Sequence, residues 1–364
     1  MKGSRKIAAL MMAAMMALPA LAGDNQTIKV TPVAQDADAA NGGVIYALPK
    51  TVVQIKLTAQ VVVSSVGPYY QYSTRFLNLT DVVTENSTKW KLTSADIIPV
   101  GRVDFSRRYK ISASANSALP SIALTPDGVI SAINTNGAAP VVATESEAPE
   151  IKYATFAEVP LSQSVLARTS KAAMAEECAQ TIYSLRAARV GIITGQVDNR
   201  LADAGSMSQA LANIDKLERQ HVELFAGRRD TITVTKIIEV TPDYNGANNV
   251  VPARFSESSG FVDAMDLSGK PIYVDLEFDD SAKVNEYAAT SKQRQSDPLT
   301  GLFYMIPGNV SIKVMDRNIL LTQKTIRCTQ NGQVANLPAN QILTNALTFD
   351  PATGALTSVA PAAK

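Results

Sequence analysis

Between residues 52 and 63 the chain alternates: Val53, Ile55, Leu57, Ala59, Val61 and Val63 fall on one face, Gln54, Lys56, Thr58 and Gln60 on the other. A period of two marks a strand buried on one side. In mid-chain the period changes. Met174, Cys178, Ile182, Leu185 and Ile192 recur at steps of three, four or seven, which is one face of a helix. Met207, Leu211, Ile214, Leu217, His221 and Leu224 do the same. Thr169 or Ser170 can cap the first helix. Ser206 with Gln209 makes a capping box for the second, and Gly227 suits its C′ position. Each helix spans roughly 20 residues, or ~30 Å. Residues 195–205 are rich in turn formers, so the pair reads as an antiparallel hairpin whose apolar stripes also pack on a sheet.

Elsewhere the pattern is of strands. Runs at 90–93, 97–100, 109–112, 231–240, 251–255, 260–262, 271–278, 302–306, 309–315, 319–328 and 348–359 all fit. Residues 122–133 form a hairpin signal with Pro126-Asp127-Gly128 as its turn. Gly67-Pro68 opens a short helical turn that sets Tyr69, Tyr72 and Phe76 on one face. Residues 281–300 are polar and read as a mobile loop.

The two ends of the chain resemble each other. GVIYALP at 43–49 matches GLFYMIP at 301–307, and, with one gap, VQIKL at 53–57 matches VSIKV at 310–314. A Leu-Thr … Asp … Gly turn follows each, at 124–128 and 347–354. The proline between apolar strands lacks an N–H and forces a bulge or an edge. The expected class is α+β: two mainly antiparallel β units, related as an internal repeat, around a central antiparallel helical hairpin. The boundaries are 1–22 signal peptide, 23–42 flexible linker, 43–160 N-terminal β-rich unit, 161–229 helical hairpin and 230–364 C-terminal β-rich unit.

Composition adds an address. Lys2, Arg5 and Lys6 precede an apolar run at 7–18, then Ala20-Leu21-Ala22 offers a small-x-small cleavage site after Ala22. The run is too short to span a bilayer, and no later stretch is long and apolar enough, so no transmembrane helix is expected after cleavage. The mature chain is expected in the periplasm or associated with the outer membrane. Losing three basic residues takes the formal charge from +1 to −2, so nucleic acid is not an expected partner. An unknown envelope protein or glycan is.

The runs MAEECAQTIYSLRAARVGIITGQVDN at 174–199 and LERQHVELFAGRRDTITVT at 217–235, with YALPKT at 46–51 and GPYYQYSTRFLNL at 67–79, resemble the exported bacterial family called Domain of Unknown Function 4831. The resemblance implies export and this architecture, and brings no activity.

Candidate chemistry is sparse. Cys178 and Cys328 are a candidate disulfide in an oxidising compartment; the alternative is two buried thiols. His221, the single histidine, lies on an apolar stripe and reads as packed rather than catalytic. Asp275, Glu277 and Asp279 share one strand face, as a glycosidase pair or, more simply, as a solvated surface. Tyr69, Tyr70 and Tyr72 are a candidate ligand platform, with a core stripe as the rival reading. Asp280-Ser281-Ala282 resembles the Asp–Ser/Thr–apolar sequon that some gut anaerobes O-glycosylate; Thr231 is a weaker candidate. No metal or cofactor motif is present. The expected function is non-enzymatic binding, scaffolding or assembly in the envelope. The runner-up is a carbohydrate-active hydrolase using a carboxylate pair.

Overall fold

The computed structural model describes residues 28–33, 42–113, 119–146, 150–195, 204–244, 249–279 and 301–362. Residues 1–22, read from sequence as a signal peptide, most of 23–42, and the stretch 281–300 read as a mobile loop, with Ser281, lie outside the described residues. The structure is β-rich, and every pairing between its named strands is antiparallel.

The alternation at 52–63 belongs to β2 (Val44–Ser65). Beside it runs β3 (Ser87–Ala113), a single strand where the sequence suggested three. Residues 94–96, between the first two runs, keep their pairing to β2, and the strand continues past the unpaired residues 104–107 between the second and third. β1 (Ile28–Pro32) pairs with the far end of β3. It forms within the stretch read as linker because Ile28 and Val30 bury fully on one face. β6 (Arg228–Val240) completes this sheet in the order β1-β3-β2-β6. A strand assigned by sequence to the C-terminal unit thus belongs to the first sheet, in register from Val53↔Val240 to Ser65↔Arg228.

The second sheet comprises β7 (Asn249–Ser256), β8 (Gly260–Val262), β9 (Lys270–Phe278), β10 (Leu302–Asp316) and β11 (Ile319–Leu337), ordered β11-β10-β9-β7-β8. The two sheets share one core: Val53, Ile55, Leu57 and Ile97 of the first meet Ile272, Val274, Val310 and Ile312 of the second. This is a sandwich, in which each inner face removes the other from water. A third sheet, ordered β13-β12-β5-β4, is made from two short hairpins: β4 (Ile122–Leu124) with β5 (Ile130–Ile133), and β12 (Asn345–Phe349) with β13 (Leu356–Pro361). It packs with the ends of the long strands and with α5 (Ala339–Thr344) around Tyr46, Leu48, Phe303, Leu347 and Phe349.

Both long hairpins break register at the prolines. Ala47 pairs with Arg108 and Pro49 with Val103, so residues 104–107 bulge opposite Leu48. Ile306 pairs with Gln333 and Gly308 with Cys328, so residues 329–332 bulge opposite Pro307. The second bulge grips the first hairpin. Thr51 N donates to Thr329 Oγ1 at 2.9 Å, and Thr329 N donates back to Thr51 Oγ1 at 3.1 Å. The Tyr46 hydroxyl accepts from Phe303 N at 2.9 Å. Each long hairpin also receives a short-hairpin turn: Ala47 N donates to Gly128 O, and Met305 N to Gly354 O, both at 3.0 Å.

Two long helices pack together at the other end. α3 (Lys171–Ile193) starts on Ser170, whose hydroxyl accepts from Ala173 N. α4 (Ala204–Ala226) starts before Ser206, which therefore lies inside the helix rather than at its cap. Arg186 meets Glu218 at 2.7 Å and Arg189 meets Asp215 at 3.3 Å across the pair. Gly227 ends α4 at φ +75°, where a Cβ would sit 2.5 Å from Ser65 O. The helical stripes do not bury against a sheet, as the sequence suggested. Ala175, Cys178, Ile182, Leu224 and Phe225 pack instead with Tyr69, Leu77, Phe156, Val159 and Val165, all from turns and short helices. Segments between the strands supply the apolar cover that a sheet face would otherwise provide.

Candidate functional site

The aromatic segment after β2 is where surface and core divide. Gly67 passes so close to α4 that a Cβ would lie 2.4 Å from Leu224 O. Tyr69 N then donates to that same carbonyl at 2.9 Å. The contact turns the chain into a 3₁₀ turn at Tyr70–Tyr72 and into α1 (Ser73–Leu77). Ser73 Oγ holds the start of α1 to Phe225 O at 2.8 Å, and Asn78, at φ +54°, ends it.

Of the three platform tyrosines, Tyr69 is not on the surface. It is 5% exposed, lies 5.6 Å from the Phe225 ring, and sets its hydroxyl against the Cys178 thiol. Tyr70 and Tyr72 are half-buried. Tyr72 packs 6.1 Å from Phe76 at 31°. The group is completed from α3, by a residue that helical periodicity puts off the buried stripe. Tyr183 is 52% exposed, and its hydroxyl donates to Phe76 O at 2.8 Å. Two guanidiniums cover the rings: Arg75 lies 5.2 Å from the Phe76 centroid and Arg186 5.8 Å from that of Tyr183. Arg186 is also bound to Glu218, whereas Arg75 meets no carboxylate among the described residues. Tyr72, Phe76 and Tyr183, with Arg75, therefore form a half-exposed aromatic face bearing a cation that meets no carboxylate among the described residues. Such a face can stack on a flat or sugar-like ligand and attract an anion.

The remaining candidates separate. Cys178 and Cys328 are free and buried, the first in the helical core and the second in the sandwich core. The disulfide reading is corrected: the two thiols sit in different hydrophobic clusters. Burial pushes each thiol up to about 11, which leaves little thiolate at neutral pH. His221 is 4% exposed, with Nδ1 bonded to Leu217 O of its own helix at 2.9 Å. Asp275 and Glu277 lie on the outer face of β9, where Lys313 reaches Glu277 at 3.6 Å. They line no cleft. A cavity of ≈ 470 Å³ opens elsewhere, between Ser121, Asn134, Asn136, Leu343 and Ala362 at the edge of the third sheet. Thr231, the weaker sequon candidate, sits in β6 opposite Val62. Among the described residues no His, Cys, Asp and Glu side chains gather as a metal site, and no helix is long and apolar enough to cross a membrane.

Residues 42–357 match the model of a domain of unknown function, DUF4831. The chain belongs to the DUF4831 family. Both long hairpins, the helical pair and the aromatic face lie within the matched DUF4831 region. No curated protein and no solved structure matches the chain.

Proposed function

We propose that this DUF4831 protein is exported to the bacterial envelope and acts there without catalysis, as a binding, scaffold or assembly protein. Export rests on the positive, apolar and small-residue segments of residues 1–22. The binding role rests on one observation: the rings of Tyr72, Phe76 and Tyr183 share a half-exposed face with Arg75. Its ligand is a glycan or the surface of an envelope protein. The hydrolase reading has less support, because Asp275 and Glu277 lie on the outer face of β9 and Glu277 pairs with Lys313.

The architecture proposed for this role is two β units of common origin with a helical hairpin between them. Three observations support it: register breaks one aligned position apart, at Leu48 beside Pro49 and at Pro307, the matched turn contacts of Gly128 and Gly354, and the ion pairs between α3 and α4. The aromatic face is tested by screening the protein against envelope glycans and envelope-protein extracts, beside Tyr183→Ala. An aromatic contact contributes about 0.5–1.5 kcal/mol, so the variant is expected to bind several-fold to about tenfold more weakly. Unchanged affinity in the variant would remove the face from the account.

A further inference from the structure

The third sheet contains one junction twice over, once made and once open. Its two hairpins are superposable in register. In the first, Ile122↔Ile133, Ala123↔Ala132 and Leu124↔Ile130 pair, with a break between Ala123 and Leu124. In the second, Leu347↔Val359, Thr348↔Ser358 and Phe349↔Leu356 pair, with a break between Thr348 and Phe349. At each break a side-chain hydroxyl donates across the hairpin: Ser131 to Ala123 O at 3.0 Å, Thr357 to Thr348 O at 2.9 Å. The turns agree too. Thr125 N donates to Val129 O at 2.8 Å, and Asp350 N to Ala355 O at 2.9 Å. Strand β4 thus corresponds to β12, and β5 to β13.

The hairpins join head to tail. β12 pairs with β5, Leu347↔Ile133 and Thr348↔Ala132, so the first strand of one hairpin meets the second strand of the other. A two-fold arrangement would have joined like to like. A head-to-tail junction leaves its complementary halves unused at the two ends of the sheet. These are the outer edge of β13, the counterpart of β5, and the outer edge of β4, the counterpart of β12. Among the described residues no strand pairs with either edge. Burial records the missing neighbour. Ile133 is fully buried, while its counterpart Val359 is 52% exposed. Leu347 is fully buried, while its counterpart Ile122 is only half-buried. β13 reads LTSVAP. It carries no charge and has proline only at its last position, so it lacks the charges that usually keep edge strands apart.

We infer that β13 of one molecule accepts β4 of a second copy of this chain, with Val359 opposite Ile122 and Ser358 opposite Ala123. That is the register β5 already uses on β12, and it continues the antiparallel order of the sheet. The inference rests on the two-unit reading and specifies the assembly role proposed above. Because the junction joins unlike edges, it propagates into chains or closed rings rather than a symmetric dimer. Few residues meet, so association is weak and rises with concentration.

The test uses full-length chains carrying Ala123→Cys or Ser358→Cys and a short bifunctional thiol reagent. Cys178 and Cys328 are buried and stay out of the reaction. Mixing the two variants at high concentration is expected to give at least tenfold more cross-linked dimer than either alone, and Val359→Lys in the Ser358→Cys chain is expected to abolish the excess. Backbone NOEs between Ala132 and Thr348 in a dilute sample read the internal junction separately. If those NOEs are present and the mixture cross-links no better than the single variants, the assembly is overturned and the two-unit reading stands. If the NOEs are absent, both fall.

Discussion

Glu223 and Glu239 show how single residues fix the response to pH. Burial near the end of α4 raises the Glu223 carboxyl above its usual range, against the pull of Arg228 at 3.7 Å. Glu239 is held low, first by the Gln54 amide at 2.9 Å and then by Arg102. The signs are opposite. For Glu239 the folded state favours the charged form, so its contribution is present at neutral pH and is lost as pH falls through the lowered range. For Glu223 the folded state favours the protonated form, so its ionisation costs stability above that raised range and the cost vanishes on acidification. Glu223→Gln is therefore expected to raise the melting temperature at pH 7, by an amount that shrinks as pH drops through the carboxylate range. Thermal melts at several pH values check this; a variant less stable than the parent at pH 7 would assign the larger effect to the Arg228 pair. None of this was legible in the sequence, because two glutamates each flanked by apolar residues look alike until tertiary contacts separate them. The same holds for Tyr69 and Tyr183. Periodicity marks which residues share a helix face but not which face a neighbouring segment will cover, so Tyr69 went to the core and Tyr183 to the surface. An aromatic off the buried stripe with arginine three positions on, as Tyr183 and Arg186 stand, was the available signal.

At the scale of elements, local pattern was a good guide wherever one face is buried against a neighbour. From Ile55 to Ser65 β2 alternates in burial as it does in sequence, though Gln54 of the polar face is buried too, and Cys178 and Ile182 are buried as their spacing requires. Partners were not readable, since a period of two carries no information about which strand lies alongside. Hence the pairing of β6 with β2 was not foreseen for a strand grouped with the C-terminal residues, and β1 was hidden in a polar stretch. The stripe on α3 also promised more burial than the fold supplies. Its buried positions end at Ile182; Leu185 and Ile192 are only half-buried, and Ile193, off the stripe at the far end of the helix, is 63% exposed. Ile182→Ala should cost about 2–5 kcal/mol, as for other buried large-to-small changes. Ile193→Ala should stay within about 0.5 kcal/mol of the parent. Urea titration of the two variants separates the ends of the helix; equal losses would mean that something covers the distal turns.

For the molecule as a whole, the likeness between the two ends of the chain was readable in the sequence, but not how those ends meet. GVIYALP and GLFYMIP were visible, and so was the bulge expected at each proline. What could not be read is that the bulge in the β10–β11 hairpin grips the β2–β3 hairpin through Thr51 and Thr329, or that the short hairpins line up head to tail. Both depend on contacts between residues more than 200 positions apart. The central claim is that each long hairpin is closed by the turn of its own short hairpin, in the same way at both ends of the chain. Hydrogen exchange at two amides tests it most directly. Ala47 N and Met305 N each donate to a turn glycine carbonyl, at 3.0 Å in both units, and both are expected to exchange slowly, with protection similar to within about tenfold, or about 1.4 kcal/mol. Exchange of either amide at the rate of an open loop would contradict the account.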